Sequence, residues 1–176
     1  MSIVSDIPSN RKLSACLPPH GMLKDQSLTT KLRVVFDGSC PTSTGISLND
    51  VQLVGPKLQN DLFSILIRFR QHTYTVSADV KSMYRQIEIK PSQRTLQQII
   101  WRFHKGDPLS TYQLNTVTYG TASASFLAIR CLVELATENA SKYPDASQII
   151  LNDFYVDDII SGHNDVSELS KLCLQI

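Results

Sequence analysis

Asp153-Phe154-Tyr155-Val156-Asp157-Asp158-Ile159-Ile160 sets two adjacent carboxylates between aromatic and β-branched residues. Flanks of that kind have high strand propensity, so the stretch reads as a tight hairpin with its acids at the bend. Adjacent carboxylates repel each other unless they are solvated, paired or bound to a metal. Asp is also a favoured turn residue, and a solvated Asp-Asp turn is the ordinary explanation of an isolated pair. What the rest of the chain supplies decides between the two.

The chain has 176 residues, 42% of them hydrophobic and 19% charged, which suits one globular domain or one domain with a lobe. No apolar run approaches membrane-spanning length, and the N-terminus lacks the basic-then-apolar pattern of a signal peptide. An intracellular protein that is not secreted and has no membrane partner is therefore expected. Cys16, Cys40, Cys131 and Cys173 are scattered without a Cys-x-x-Cys pair, so neither a zinc site nor a disulfide framework is indicated. The net charge of +1 hides an asymmetry: 14 Lys and Arg stand against 7 Asp and Glu through Lys105, and 3 against 9 from Gly106 onward. The first part suits phosphates and the second suits cations, although such imbalance is more often a solvated face.

Met1 to Leu17 shows no period and ends at Pro18-Pro19, which reads as a loosely held lead-in. His20, Gly21 and Lys24 follow in a polar loop. Lys31 to Asp37 has the apolar density of a strand, with Arg33 and Asp37 on one face, able to form a surface salt bridge or to present a guanidinium to a phosphate. Leu58, Leu62, Ile65, Leu66 and Phe69 recur at helical spacing, and Arg68 and Arg70 suit the negative end of that helix. Thr73 to Asp79 alternates apolar and polar residues and is the clearest strand, with Asp79 at its end. The segment from Val80 to Gln86 turns back toward a strand at Ile87 to Ile89. Thr95 to Trp101 and Tyr112 to Val117 are further strand candidates. The small, polar Thr118 to Ser125 introduces a helix from about Ser125 to Glu138 that ends before Pro144. Gln148 to Leu151 leads into the acidic hairpin, and Val166 to Ile176 begins another helix.

A strand ending in Asp79, a small-residue loop before a helix, then a hairpin carrying Tyr155-Val156-Asp157-Asp158, resembles in that order the palm of a reverse transcriptase. Lys31-Leu32-Arg33-Val34-Val35-Phe36-Asp37, Ser47-Leu48-Asn49-Asp50, Gly55-Pro56-Lys57-Leu58-Gln59 and Thr121-Ala122-Ser123-Ala124 resemble the Bel/Pao class of long-terminal-repeat retrotransposons. The likeness runs from about His20 to Gly162. It implies an α+β fold with the fingers and palm of a polymerase right hand, the antiparallel palm sheet backed by helices and the thumb missing. Residues 1–19 would be a lead-in, 20–54 and 87–122 fingers, and 55–86 and 123–176 palm.

The resemblance implies RNA-directed DNA polymerase activity, weak or absent in this fragment alone, with two Mg²⁺ ions, or Mn²⁺ in their place. Phosphodiester formation passes through a highly charged transition state, and carboxylates from two segments would hold the cations that stabilise it. Asp79 and Asp157 are the implied principal ligands, with Asp158 supporting them. Lys24 and Arg33 would meet the incoming triphosphate, Tyr84 would block a ribose 2′-hydroxyl, and Tyr119 and Gly120 would line the nucleotide. Tyr119 stands where some viral relatives carry glutamine. The implied partners are an RNA or DNA template with its primer, deoxynucleoside triphosphates and the remainder of a retrotransposon polyprotein, in the cytoplasm or a virus-like particle. Two other readings compete: a noncatalytic RNA-binding or assembly module derived from such a polymerase, and an unrelated two-metal phosphohydrolase.

Overall fold

A computed structural model describes residues 1–4, 13–26 and 31–176. Among these, the chain forms β1 (Ser2–Ile3), β2 (Pro19–Leu23), β3 (Leu32–Phe36), α1 (Leu48–Val51), α2 (Leu62–Phe69) and β4 (Tyr74–Asp79). There follow β5 (Gln98–Trp101), β6 (Ser110–Gln113), α3 (Ala124–Asn139), α4 (Pro144–Asn152), β7 (Phe154–Tyr155), β8 (Asp158–His163) and α5 (Val166–Gln175). The segments gather into two units: Met1–Gly55 with Tyr84–Ala124, and Pro56–Met83 with Ser125–Ile176. The class is the expected mixture of helices and antiparallel sheet. No helix among the described residues is long and apolar enough to cross a membrane.

The first unit contains an antiparallel sheet of order β1-β6-β5 and a hairpin of β2 with β3. Its core joins Ala15, Leu17, Phe36, Leu48 and Ile99. Leu17, within the stretch read as a lead-in, is only 1% exposed, and Ser2 and Ile3 pair with Gln113 and Tyr112. Residues 5–12 of that stretch lie outside the described residues. The polar loop expected at His20 to Lys24 is instead β2, because the β3 backbone supplies partners for each residue from Pro19 to Leu23. The strand expected at Ile87 to Ile89 reduces to a single bridge between Glu88 and Thr116. Pro91 opens a 3-10 turn through Leu96, so the strand expected from Thr95 begins only at Gln98. Pro lacks the N–H a ladder needs but fits the first turn of a helix. The strand expected over Tyr112 to Val117 lies earlier, at Ser110–Gln113.

The second unit is built on a three-stranded antiparallel sheet of order β4-β8-β7. α2 packs on β7 and β8, α4 on β7 and α5 on β8. α2 starts at Leu62 rather than Leu58 because Asp61 caps it, accepting from the Ser64 N–H at 3.0 Å and the Ser64 hydroxyl at 2.8 Å. Its central residue, Ile65, is completely buried. In α3 the deepest residues are Ala128 and Ala136, each 1% exposed. Pro144 does not merely follow a helix: it occupies the first turn of α4, which was not anticipated.

The Ser64 donors hold the Asp61 carboxyl below the usual carboxylate range. A depressed folded value means the cap is fully present above the unfolded value of about 4 and is lost as pH falls through the lower folded one. Asn keeps one acceptor oxygen for the Ser64 N–H and does not titrate. The stability difference between the natural chain and Asp61→Asn is therefore expected to change in favour of the variant as pH drops below about 4, read by urea unfolding at a series of pH values.

Candidate active site

The acids meet through the register of β4 on β8. Asp79 stands directly opposite Asp158, Ala78 opposite Ile159 and Ser77 opposite Ile160. The Val80 N–H donates to the Asp157 carbonyl at 2.9 Å. A bond from the residue after Asp79 to the residue before Asp158 marks the Asp79–Asp158 pair as non-hydrogen-bonded, the kind in which Cα atoms come to about 4.5 Å and side chains lie closest. Opposed residues share a face. Asp79 and Asp158 therefore project from one side of the sheet, and both are exposed. The other side carries Ile159 and Ser161, both buried.

The ladder sets two acidic residues opposite each other, and a divalent cation between their carboxylates would attract both. Among the described residues, no group of three or more His, Cys, Asp or Glu side chains forms a ready-made metal cage. A hard cation such as Mg²⁺ does not require one, since it keeps waters and substrate phosphates as ligands. Exposed carboxylates from two chain segments fit that donor chemistry.

Backbone strain gathers at the same corner. The non-glycine residues with positive φ among the described residues are Ser82, at 54°, and Val156, at 58°. One follows Asp79 by three positions and the other immediately precedes Asp157. Val156 is the first of two residues joining β7 to β8, a position where glycine is ordinarily required, and a β-branched residue there is a genuine outlier. Such a conformation costs on the order of 1–3 kcal/mol and persists only where the surroundings impose it. Here the Val156 N–H donates to Gln59 Oε1 at 2.9 Å.

Below the hairpin, Asp153 is a structural acid. Arg68 Nε donates to its Oδ1 at 3.1 Å, the Ser161 hydroxyl to its Oδ2 at 2.6 Å, and Arg68 Nη2 donates to the Asn152 carbonyl. Arg68 was expected to serve the end of its own helix; it instead ties α2 to the base of the hairpin. No local pattern announces such a pair, because its members are far apart in sequence.

The nucleotide-side candidates lie in the first unit, and the structure brings Tyr84, Tyr119 and Gly120 together there. The Tyr84 and Tyr119 rings meet edge to face with centroids 6.5 Å apart, and Tyr119 lies 5.6 Å from the Phe36 ring. The Tyr119 hydroxyl donates to the Val34 carbonyl at 2.5 Å and accepts from Arg85 Nη2 at 3.4 Å. Val34, Phe36, Arg85, Ile99, Trp101 and Tyr119 line a largely apolar cleft of about 360 Å³. Gly120 has φ +91° and packs against the Phe36 carbonyl, so a side chain would meet both strain and collision. Arg33 and Lys24 are exposed, Arg33 within β3 and Lys24 just beyond β2. Asp37 does not pair with Arg33; it accepts from the Ser39 N–H at 2.9 Å and closes a turn.

Asn49, quoted above only as part of a motif, fastens this loop. Its Nδ2 donates to the Gly120 carbonyl at 3.1 Å and to Ser39 Oγ at 2.9 Å, and its Oδ1 accepts from the Ala122 N–H at 2.8 Å. Its own N–H donates to the Gly38 carbonyl at 3.0 Å. One side chain thus joins the turn at Gly38 to the turn at Gly120. The neighbouring Ser47 and Asp50 form a reciprocal capping box on α1.

No protein-family model matches the chain, and no curated protein matches its sequence. Solved structures do match. A selenomethionine-labelled mutant of the prototype foamy virus protease-reverse transcriptase aligns with 91% of this chain at a TM-score of 0.66 and 19% identity. The foamy viral protease-reverse transcriptase in complex with double-stranded DNA aligns with 90% at 0.64 and 20% identity. The same kind of enzyme in complex with an RNA/DNA hybrid aligns with 93% at 0.64 and 19% identity. The chain spans 18% to 23% of the length of these proteins. It has a retroviral reverse-transcriptase-like fold.

Asn49→Ala leaves the Ala122 N–H and the Gly120 carbonyl without their partner and is expected to destabilise the chain by about 1–3 kcal/mol in urea unfolding. Arg68→Met keeps the length of the side chain but strands the largely buried Asp153 carboxylate. A loss of about 1–3 kcal/mol is expected by the same measurement, and Arg68→Met with Asp153→Leu should recover part of it.

Proposed function

We propose that the chain is part of an RNA-directed DNA polymerase of the Bel/Pao retrotransposon type, its second unit belonging to the palm and its first to the fingers. The observation that carries this reading is the cross-strand pairing of Asp79 with Asp158, with Asp157 beside it at the strained turn. Opposed acidic residues on an exposed sheet face suit a shared cation, and the likeness of fold to reverse transcriptases favours the same conclusion. The noncatalytic alternative leaves the opposed acids and the strained turn without a use.

Asp79 and Asp157 would be the principal ligands for two Mg²⁺ ions, or Mn²⁺ in their place, with Asp158 as support. Bound there, the ions would supply activation of a primer 3′-hydroxyl and neutralisation of the triphosphate. The β4–β8 ladder sets Asp79 opposite Asp158, and the two-residue turn carries Asp157 next to it. Arg33 and Lys24 contribute exposed cations for phosphate oxygens. Tyr84, with Tyr119 against its ring, presents a rigid aromatic edge suited to excluding a ribose 2′-hydroxyl, so deoxynucleotides are the preferred substrates. Gly120 keeps its turn close against the Phe36 carbonyl, where a side chain would not fit. The partners in this reading are a template with its primer, deoxynucleoside triphosphates and the rest of a polyprotein, in the cytoplasm or a virus-like particle.

Primer extension on an RNA template tests the proposal, with the chain carried in its longer polyprotein. Asp79→Asn and Asp157→Asn are each expected to reduce extension by roughly a hundredfold to ten-thousandfold, the rate equivalent of several kcal/mol of transition-state charge stabilisation. Extension that is indifferent to both substitutions would sink the polymerase reading. A protein that binds RNA and extends no primer would point to the assembly module instead.

A further inference from the structure

We propose that Gln59 is a positioning residue for the acidic corner: its side-chain oxygen holds the Val156 N–H and thereby fixes the turn that presents Asp157. This deepens the metal-site reading of Asp79, Asp157 and Asp158 and rests on it. The turn has no slack, because Phe154 pairs with Ile159 and Tyr155 with Asp158, leaving only Val156 and Asp157 to reverse the chain. In a hairpin this short the N–H of the first central residue has no cross-strand acceptor, and a partner must come from elsewhere. Gln59 provides it at 2.9 Å, from a different chain segment. The neighbours of Gln59 hold it in place. Asn60 Nδ2 reaches the carbonyl and Oδ1 of Asn152, each at 3.4 Å, and Asp61 caps α2. Three consecutive polar residues thus engage the tip of the hairpin, the end of α4 and the start of α2.

A residue that only adds stability would be missed equally whatever stood at position 156. A residue that holds Val156 in a left-handed conformation becomes dispensable once that position is glycine, which adopts the conformation without strain. Four proteins separate the two: the natural chain, Gln59→Ala, Val156→Gly and the double variant, each titrated with Mn²⁺ alone and read by the electron paramagnetic resonance signal of the free ion. Gln59→Ala is expected to weaken Mn²⁺ binding roughly tenfold in the natural background and less than about threefold in the Val156→Gly background. Unchanged Mn²⁺ affinity in Gln59→Ala, or the same loss in both backgrounds, overturns the proposal. Should the natural chain itself bind no Mn²⁺, the metal reading fails and Gln59 is judged on urea unfolding of the same proteins. A midpoint drop that shrinks in the Val156→Gly background then supports the turn-holding role, and equal drops reject it. If Gln59→Ala does not fold, Gln59→Glu, which keeps an acceptor, and Gln59→Met, which does not, replace it. Glu is expected to preserve the natural unfolding midpoint and Met to lower it; equal midpoints reject the role.

Discussion

Everything in the second unit depends on the pairing of β4 with β8. Hydrogen bonding along that ladder is neutral, directional and repeated over six residue pairs, from Tyr74 opposite His163 to Asp79 opposite Asp158. Its last rung sets two acidic residues opposite each other at an exposed position, in a register fixed by backbone bonds that do not depend on their charge. The opposite face of the same strands carries the apolar and hydroxyl groups that α2 reaches through Arg68 and Asp153. Packing on one side of the sheet therefore sets the geometry of the charged side.

The parts legible in the sequence are those whose signal is local. Alternation from Thr73 to Asp79 identifies β4 and its terminal acid, and the aromatic and β-branched flanks of Asp157 and Asp158 identify the hairpin. Helical spacing of Ile65, Leu66 and Phe69 identifies α2, although the cap at Asp61 moves its start. β2 was illegible because Pro19 and Gly21 weaken any strand signal, and its regularity comes from β3 across the ladder. α4 was hidden because Pro144 was read only as the end of what precedes it, whereas proline also begins helices.

The motif wording has a physical content that composition could not disclose. Ser47, Leu48, Asn49 and Asp50 each have a separate duty: the first and last cap a helix, Leu48 enters the core, and Asn49 joins two turns. Gln59 ends a motif whose partner, Val156, belongs to another. Side-chain bonds to distant backbone follow no periodicity, and a single sequence has no means of announcing them. Tyr84 and Tyr119 were separate candidates in the sequence; their ring contact makes them one feature.

The order of strands in this sheet also bears on how the molecule comes to exist. β7 and β8 are adjacent in sequence and close on each other quickly, but β4 can join only after α3, α4 and an entire segment of the first unit have been made. Closing so large a loop is slow relative to forming a hairpin or a helix. Until it closes, β4 is an unpaired ribbon of alternating residues, able to pair wrongly with another chain. Of the two ladders in this sheet, the one that brings the acidic corner together therefore carries the larger loop-closure cost.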